Sequence, residues 1–236
     1  MVNFPSLSYS HLMNPENFKY PTHRKIFSIG SRTYELELIR DLDEAIDLLC
    51  ASIDPKEQMS VFAEDLCPYF GLLWDAGLAL AHFIDLHHQS FKDKRVLELG
   101  AGVGLPSLVA SHHGACVLTT DFHPQAEEYF TRNLSLNQLK GEYQRLNWRE
   151  QHVSETFDIV MGSDILYEGK HALEVAEGLV RFLRPGGEIY LSDPGRAYLN
   201  GFIESMKRFD LKHQKIITRL NDKDYYLYRF YDYRMY

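Results

Sequence analysis

Val96-Leu97-Glu98-Leu99-Gly100-Ala101-Gly102-Val103-Gly104-Leu105-Pro106 decides how the chain folds. An apolar strand-like run meets three glycines at alternate positions, and an apolar helix-like run follows. Without a Cβ, such a backbone can turn sharply and let a ligand lie against it. Asp121 closes the next apolar run, Ala115 to Thr120. It stands about twenty residues past the glycines, a separation suited to gripping the two hydroxyls of a ribose. The pattern therefore points to a nucleoside-containing cofactor. Its spacing, Gly-x-Gly-x-Gly, brings the third glycine one residue earlier than a dinucleotide fingerprint requires, and there is no Gly-x-x-x-x-Gly-Lys-Ser/Thr loop. Taken alone, the glycine run would also serve as a plain strand-to-helix turn.

Bulk properties narrow the class. The chain has 236 residues, enough for one catalytic domain with a modest extension, and its 45% apolar and 25% charged content is that of a soluble globular protein. No stretch is apolar for about eighteen residues, so no membrane span is expected. Met1 to Pro5 lack a basic region before an apolar core, so no signal peptide is expected. The three cysteines, Cys50, Cys67 and Cys116, form no Cys-x-x-Cys pair, which argues against a zinc ribbon or a disulfide scaffold and suits a reducing cytoplasm. A net charge of −8 disfavours nucleic acid and favours a cationic partner, such as a lysine-bearing protein surface. Among eleven histidines, the adjacent pairs His87-His88 and His112-His113 lack metal-ligand spacing. They read as solvated helix ends, and no metal is expected.

Along the chain, residues 24–29 and 33–39 read as the strands of a hairpin turning at Gly30-Ser31, and Asp41 as the cap of a short helix carrying Ala45, Ile46, Leu48 and Leu49 on one face. Asp54-Pro55 opens a polar connection. From Tyr69 onward, Leu72, Leu73, Ala76, Leu80, Phe83 and Leu86 recur at helical spacing. Strands are then expected over 94–99, 115–120, 142–146, 157–162 and 187–192, the last after a Pro185-Gly186-Gly187 turn. Helices are expected near 105–113, 124–137, 171–183 and 198–208. This alternation predicts a doubly wound α/β sheet. Residues 215–220 and 225–236, around a polar turn, read as a terminal antiparallel hairpin whose tyrosines pack at the sheet edge.

Glu98, the three glycines and Asp121 together resemble the S-adenosylmethionine (SAM) site of class I, seven-stranded methyltransferases. The C-terminal hairpin fits that Rossmann-like fold independently. On this resemblance, Gly100, Ala101, Gly102 and Gly104 form the turn beside the methionine part of SAM. Glu98 orients that part through the loop, the amino group or a bridging water, and Asp121 accepts from the ribose. At the third strand end, Asn147 can bond an adenine edge, and Trp148 either stacks on adenine or serves the core. The fourth strand ends in Gly162-Ser163-Asp164-Ile165-Leu166-Tyr167. A carboxylate there, three residues before a tyrosine, is well placed to hold an amine near the sulfonium.

Leu72-Leu73-Trp74, the Gly-Ala-Gly turn, Asp121, Leu146-Asn147-Trp148 and the Asp164-to-Tyr167 motif occur in this order. Across residues 68–196 they resemble the Asp-x-x-Tyr group of protein-lysine methyltransferases. The resemblance places Trp74 and Ser163 on the cofactor. Asp193-Pro194-Gly195-Arg196 and Pro68 to Trp74 are similar to the branch that methylates the electron-transfer flavoprotein β-subunit.

The resemblance implies methyl transfer from SAM to a protein lysine, leaving S-adenosylhomocysteine, with Asp164 and Tyr167 at the acceptor. It divides the chain into an extension over 1–67, a source of substrate specificity, and a methyltransferase domain over 68–236. Two other functions stay open: a small-molecule N- or O-methyltransferase on the same core, and a SAM-binding interaction protein without turnover.

Overall fold

Strands that alternate with helices are covered on both faces, which is why β3 (Arg95–Leu99) and β6 (Phe157–Ser163) are almost continuously buried and mostly apolar. They form the centre of a seven-stranded sheet with β4 (Cys116–Asp121), β5 (Glu142–Arg145), β7 (Leu183–Asp193), β8 (Lys212–Leu220) and β9 (Lys223–Tyr231). The strand order is β5-β4-β3-β6-β7-β9-β8, with β3 to β7 parallel and β9 antiparallel to both its neighbours. This computed structural model describes residues 19–52, 67–149, 155–167, 169, 171–220 and 222–232. The chain before residue 19, the connection opening at Asp54-Pro55 and the last four residues of the tyrosine-rich tail lie outside them.

Alternate residues of β3 feed two cores. Val96 packs with Leu80, Ile84, Leu108, Val109 and Phe130, on the side of α2 (Asp75–Leu86), α3 (Leu105–His112) and α4 (Ala126–Leu136). Leu97 and Leu99 pack with Val175, Leu179 and Phe202, on the side of α5 (His171–Arg181) and α6 (Leu199–Met206). The doubly wound sheet and its terminal hairpin are thus as expected.

Three expectations need correction. The apolar period from Leu72 does not continue one helix. Pro68–Gly71 form a 3-10 turn, Leu72 and Trp74 are extended, and α2 begins only at Asp75. Gly71 is held against Ile39 so closely that a Cβ would stand 2.2 Å from its Cδ1. Leu86, at the far end of α2, is exposed. Pro185-Gly186-Gly187 is not the start of β7 but an irregularity within it: Phe157 pairs with Leu183, whereas Ile159 pairs with Glu188. The tyrosines of β9 are not at an edge, because β8 lies outside them; Tyr225 and Tyr228 are buried.

The histidines also depart from the solvated reading. His113 Nε2 lies 2.8 Å from Asp85 Oδ1, His88 stacks on His113 at 4.8 Å, and His112 is 3.2 Å from Arg32 Nη1. All three rings are half-buried because α2 and α3 end side by side. The described residues contain no cluster of three or more His, Cys, Asp or Glu that could hold a metal, and no helix long and apolar enough to cross a membrane.

The N-terminal hairpin pairs β1 (Thr22–Ile29) with β2 (Arg32–Ile39), turning at Gly30 with φ +57°. Asp41 caps α1 (Leu42–Ala51) by accepting from Glu44 N at 2.8 Å; Ala45 and Leu49 are buried while Leu48 is exposed. The far edge of β2 meets α4 rather than another strand. Asn137 Oδ1 accepts from Glu35 N at 3.0 Å and its Nδ2 donates to Glu35 O at 2.7 Å. One turn earlier, Asn133 Oδ1 accepts from Glu37 N at 2.7 Å and its Nδ2 donates to Val103 O at 3.1 Å. Four helical residues rise about 6 Å, close to the roughly 6.8 Å spanned by two strand residues. Two asparagines one turn apart therefore act as a strand edge.

Two predictions follow from buried polar groups in this frame. Replacing Asn133 with Ala leaves Glu37 N and Val103 O without these partners. Urea denaturation should show a loss of about 2 kcal/mol. Glu98, fully buried, accepts from Ser107 N at 3.0 Å and from Ser107 Oγ, pinning the first turn of α3. Burial pushes its carboxyl from 4.5 up to about 8, against the Ser107 hydrogen bonds. The folded state therefore keeps a proton that the unfolded state releases, and stability falls as pH rises between those values. Thermal melts should show wild type and Glu98→Gln converging below about pH 4.5, and the variant gaining on wild type up to about pH 8.

Candidate active site

The strand order reverses between β3 and its neighbours β4 and β6, and a crevice opens beyond their C-terminal ends. At the end of β3, Gly100, Gly102 and Gly104 have φ of +63°, +54° and +79°. Gly102 has a second constraint, since a Cβ there would stand 2.8 Å from Phe70 O. The end of β4 ties this loop down. Asp121 Oδ2 accepts from Gly102 N at 2.8 Å, its Oδ1 accepts from His123 N at 2.8 Å, and Ala101 N donates to Thr120 O at 2.9 Å. Burial pushes the Asp121 carboxyl up, offset in part by these N–H donors.

One cleft collects most of the predicted site. Trp74, Gly100, Ala101, Gly102, Asp121, Asn147, Trp148, Ser163, Asp164 and Tyr167 all line it, and its empty space, open mouth included, is about 970 Å³. Two predicted residues are not in its lining. Glu98 points under the loop to Ser107, and Gly104 caps α3 with its Cα against Phe130, where a Cβ would meet the ring at 2.4 Å. Both shape the loop from behind. Trp148 serves the core and also borders the cleft. It is only 8% exposed and packs in the core with Val175 and Leu179, while its six-membered ring lies beneath Gly100.

Sequence reasoning missed several wall residues. Phe70 stacks on His123 at 4.0 Å, beside Asp121, and Leu72, Leu73, Val103, Pro106 and Ile165 complete apolar walls. The break at Gly71 before α2 and a histidine two residues past Asp121 were the available signals. The lining suits a nucleoside without phosphate. It offers an acid, an amide and flat apolar surfaces, and its one arginine, Arg149, is engaged by Glu174 at 2.8 Å and His171 at 2.7 Å.

A second groove adjoins the first and shares Leu72, Leu73, Trp74 and Asp164 with it; Asp75, Pro194, Arg196 and Tyr225 are among its other walls. Asp164 thus stands at the junction. Its backbone is left-handed, with φ +57°, a conformation that aspartate tolerates better than most residues. Its N donates to Ser192 O at 2.9 Å, and Arg196 Nε donates to its Oδ1 at 2.5 Å. Tyr69 lies edge-on to both Trp74 and Tyr167, at 6.1 and 6.3 Å, so three aromatic rings rim the same junction. Trp74 is fixed there by its Nε1, which donates to Tyr69 O at 3.1 Å.

Known proteins resemble this chain at two levels, fold and sequence. A methyltransferase from Pyrococcus furiosus superposes with a TM-score of 0.55 at 18% identity, over 65% of this chain and 82% of its own. The T. thermophilus 16S rRNA N2 G1207 methyltransferase, solved with AdoMet and guanosine, gives 0.56 at 18% identity, over 89% of this chain and 50% of its own. At these identities the likeness concerns the fold. In sequence, the chain is 32% identical to the histone-arginine methyltransferase METTL23 of Xenopus laevis, over 66% of this chain and 64% of that protein. It is 36% identical to EEF1A lysine methyltransferase 3 of Mus musculus, over 53% and 56%. It is 35% identical to the electron transfer flavoprotein beta subunit lysine methyltransferase of Xenopus laevis, over 55% and 54%. The matches span between about half and two thirds of the length of these relatives. A family model described as lysine methyltransferase matches residues 53–209, from before the 3-10 turn to just past α6. By that match, which takes in every strand end of the cleft, the chain belongs to the lysine methyltransferase family.

Proposed function

We propose that this chain is a SAM-dependent methyltransferase acting on a lysine side chain of a protein. The observation that carries this is the position of Asp164, the strand-end carboxylate shared by the nucleoside-sized cleft and the adjoining groove. When bound, SAM supplies a methyl group made electrophilic by the sulfonium. Asp121 and Asn147 are the polar groups suited to its ribose and adenine, with Gly100 to Gly102, Trp74, Trp148 and Ser163 around it.

The chain's own task is to bind the amine, align it and let its proton leave, since an ammonium has no lone pair to offer. Asp164 receives the cation, and the rim of Tyr69, Trp74 and Tyr167 favours it where a ring face is turned to the charge. Alignment is where such a site contributes most. The net charge of −8 suits a basic partner surface. A count of three cysteines without Cys-x-x-Cys spacing suits a reducing, cytoplasmic location. The hairpin and α1 are the part of the chain we assign to substrate recognition. A guanidino acceptor is a second reading with one observation in its favour: Asp164 already holds the guanidinium of Arg196.

Methyl-labelled SAM, the purified protein and a lysate of its source cells provide the test, with label counted in protein, RNA and small-molecule fractions. A discrete protein band whose methylated residue is lysine by mass spectrometry is expected. Label confined to small molecules would overturn the reading. Asp164→Ala should abolish labelling while SAM still binds, as judged by calorimetry. Asp121→Ala should weaken SAM binding roughly tenfold or more, the scale of losing a charged hydrogen-bond acceptor.

A further inference from the structure

The turn after β7 is built to deliver one side chain. Asp193, fully buried, accepts from Gly195 N and Arg196 N, both at 2.7 Å, so its carboxylate folds the next three residues back on themselves. Gly195 has φ +93°, and a Cβ there would stand 2.8 Å from the Tyr226 ring. The turn is thereby clamped against β9. Arg196, held at its N–H, extends to Asp164, and the pair is mostly shielded: the side chains are 34% and 7% exposed.

This pairing bears on a difficulty in the proposed chemistry. A carboxylate that attracts an ammonium also raises its pKa and makes it keep the proton that must leave. A fixed cation at the same carboxylate opposes that effect. Other charged or titratable groups face the junction from each neighbouring element. From the β6 end comes Tyr167, and from the β7 end Asp193. From α2 comes Asp75, which accepts from Tyr225 OH on β9 at 2.7 Å. From the start of β9 come Lys223 and Asp224, both exposed to solvent and opposite in charge. Among the described residues, the cation in contact with Asp164 is Arg196.

Resting on the methyltransferase reading above, we propose that Arg196 is a positioning residue that sets the pH at which the acceptor amine becomes reactive. It holds one oxygen of Asp164, leaves the other to the amine, and places a permanent positive charge where it favours the unprotonated form. The proton goes to solvent. The amine lone pair then takes the methyl carbon as the bond to sulfur breaks, with that electron pair staying on sulfur.

The test is a pH–rate profile at saturating SAM and acceptor, using the purified protein that takes label in the lysate experiment. Under saturation the profile reports groups in the bound complex. Wild type, Arg196→Gln and Arg196→Lys are compared, with SAM affinity and melting temperature as checks on folding. The Gln variant is expected to need a pH about one unit higher or more for half-maximal rate. It should therefore be roughly tenfold slower near neutrality, reach the wild-type rate in alkali, and show an equal or lower KM for the acceptor. The Lys variant, which keeps the charge, should keep the wild-type midpoint. A Gln variant that is uniformly slower at every pH, unchanged, or faster throughout would overturn the proposal while leaving the methyltransferase reading intact. Absence of label with wild type in any fraction would overturn that reading, and this inference with it.

Discussion

The carboxylate of Asp121 is the constraint on which the site depends. One oxygen takes the N–H of Gly102 and the other that of His123. The glycine loop after β3 and the turn after β4 are therefore one rigid object, although their strands are separated by a helix in sequence. Without this link, three glycines with positive φ would be a liability, because each keeps much of its freedom in the unfolded chain. With it, the loop holds a shape that leaves room beside Phe70 and Ile165, and Asp121 itself lines that space.

The other strand ends add further chemical groups. The β5 end brings an amide and an indole, the β6 end a carboxylate and a phenol, and the β7 end a guanidinium. Because parallel strands all finish on the same side, these groups converge without any one segment of the chain carrying a site of its own. Asp164 has the most demanding position. It adopts a left-handed backbone between Ser163, which abuts Gly77 on α2, and Ile165, which packs under Gly100. Local strain of this kind persists where the surroundings leave no alternative.

Much of this was legible in the order of residues. Apolar runs ending in Gly100, Asp121 and Asp164 revealed the parallel strands, because burial on both faces removes the polar alternation a half-exposed sheet would show. What could not be read were features that depend on a distant partner. Leu72 to Trp74 keep a helical apolar period, yet Gly71 is pressed against Ile39 of the hairpin and the helix cannot start until Asp75. His88 and His113 look like surface residues until α2 and α3 end side by side around Asp85. Glu98 could act through the loop, the amino group or a water, and only the fold shows that it grips Ser107 at the start of α3. Arg196 was visible only as part of a tetrapeptide, since its partner lies thirty-two residues earlier in the chain.

The asparagine ladder between α4 and β2 has a consequence for how this chain can diversify. Asn133 and Asn137 grip main-chain atoms of Glu35 and Glu37, and main-chain atoms are the same whatever side chain is attached. Most of β1 faces outward, from Thr22 to Ile26. The hairpin is thus fastened like an interchangeable fitting. Its outer strand can be rewritten residue by residue while the mount, and the register it imposes, stay as they are.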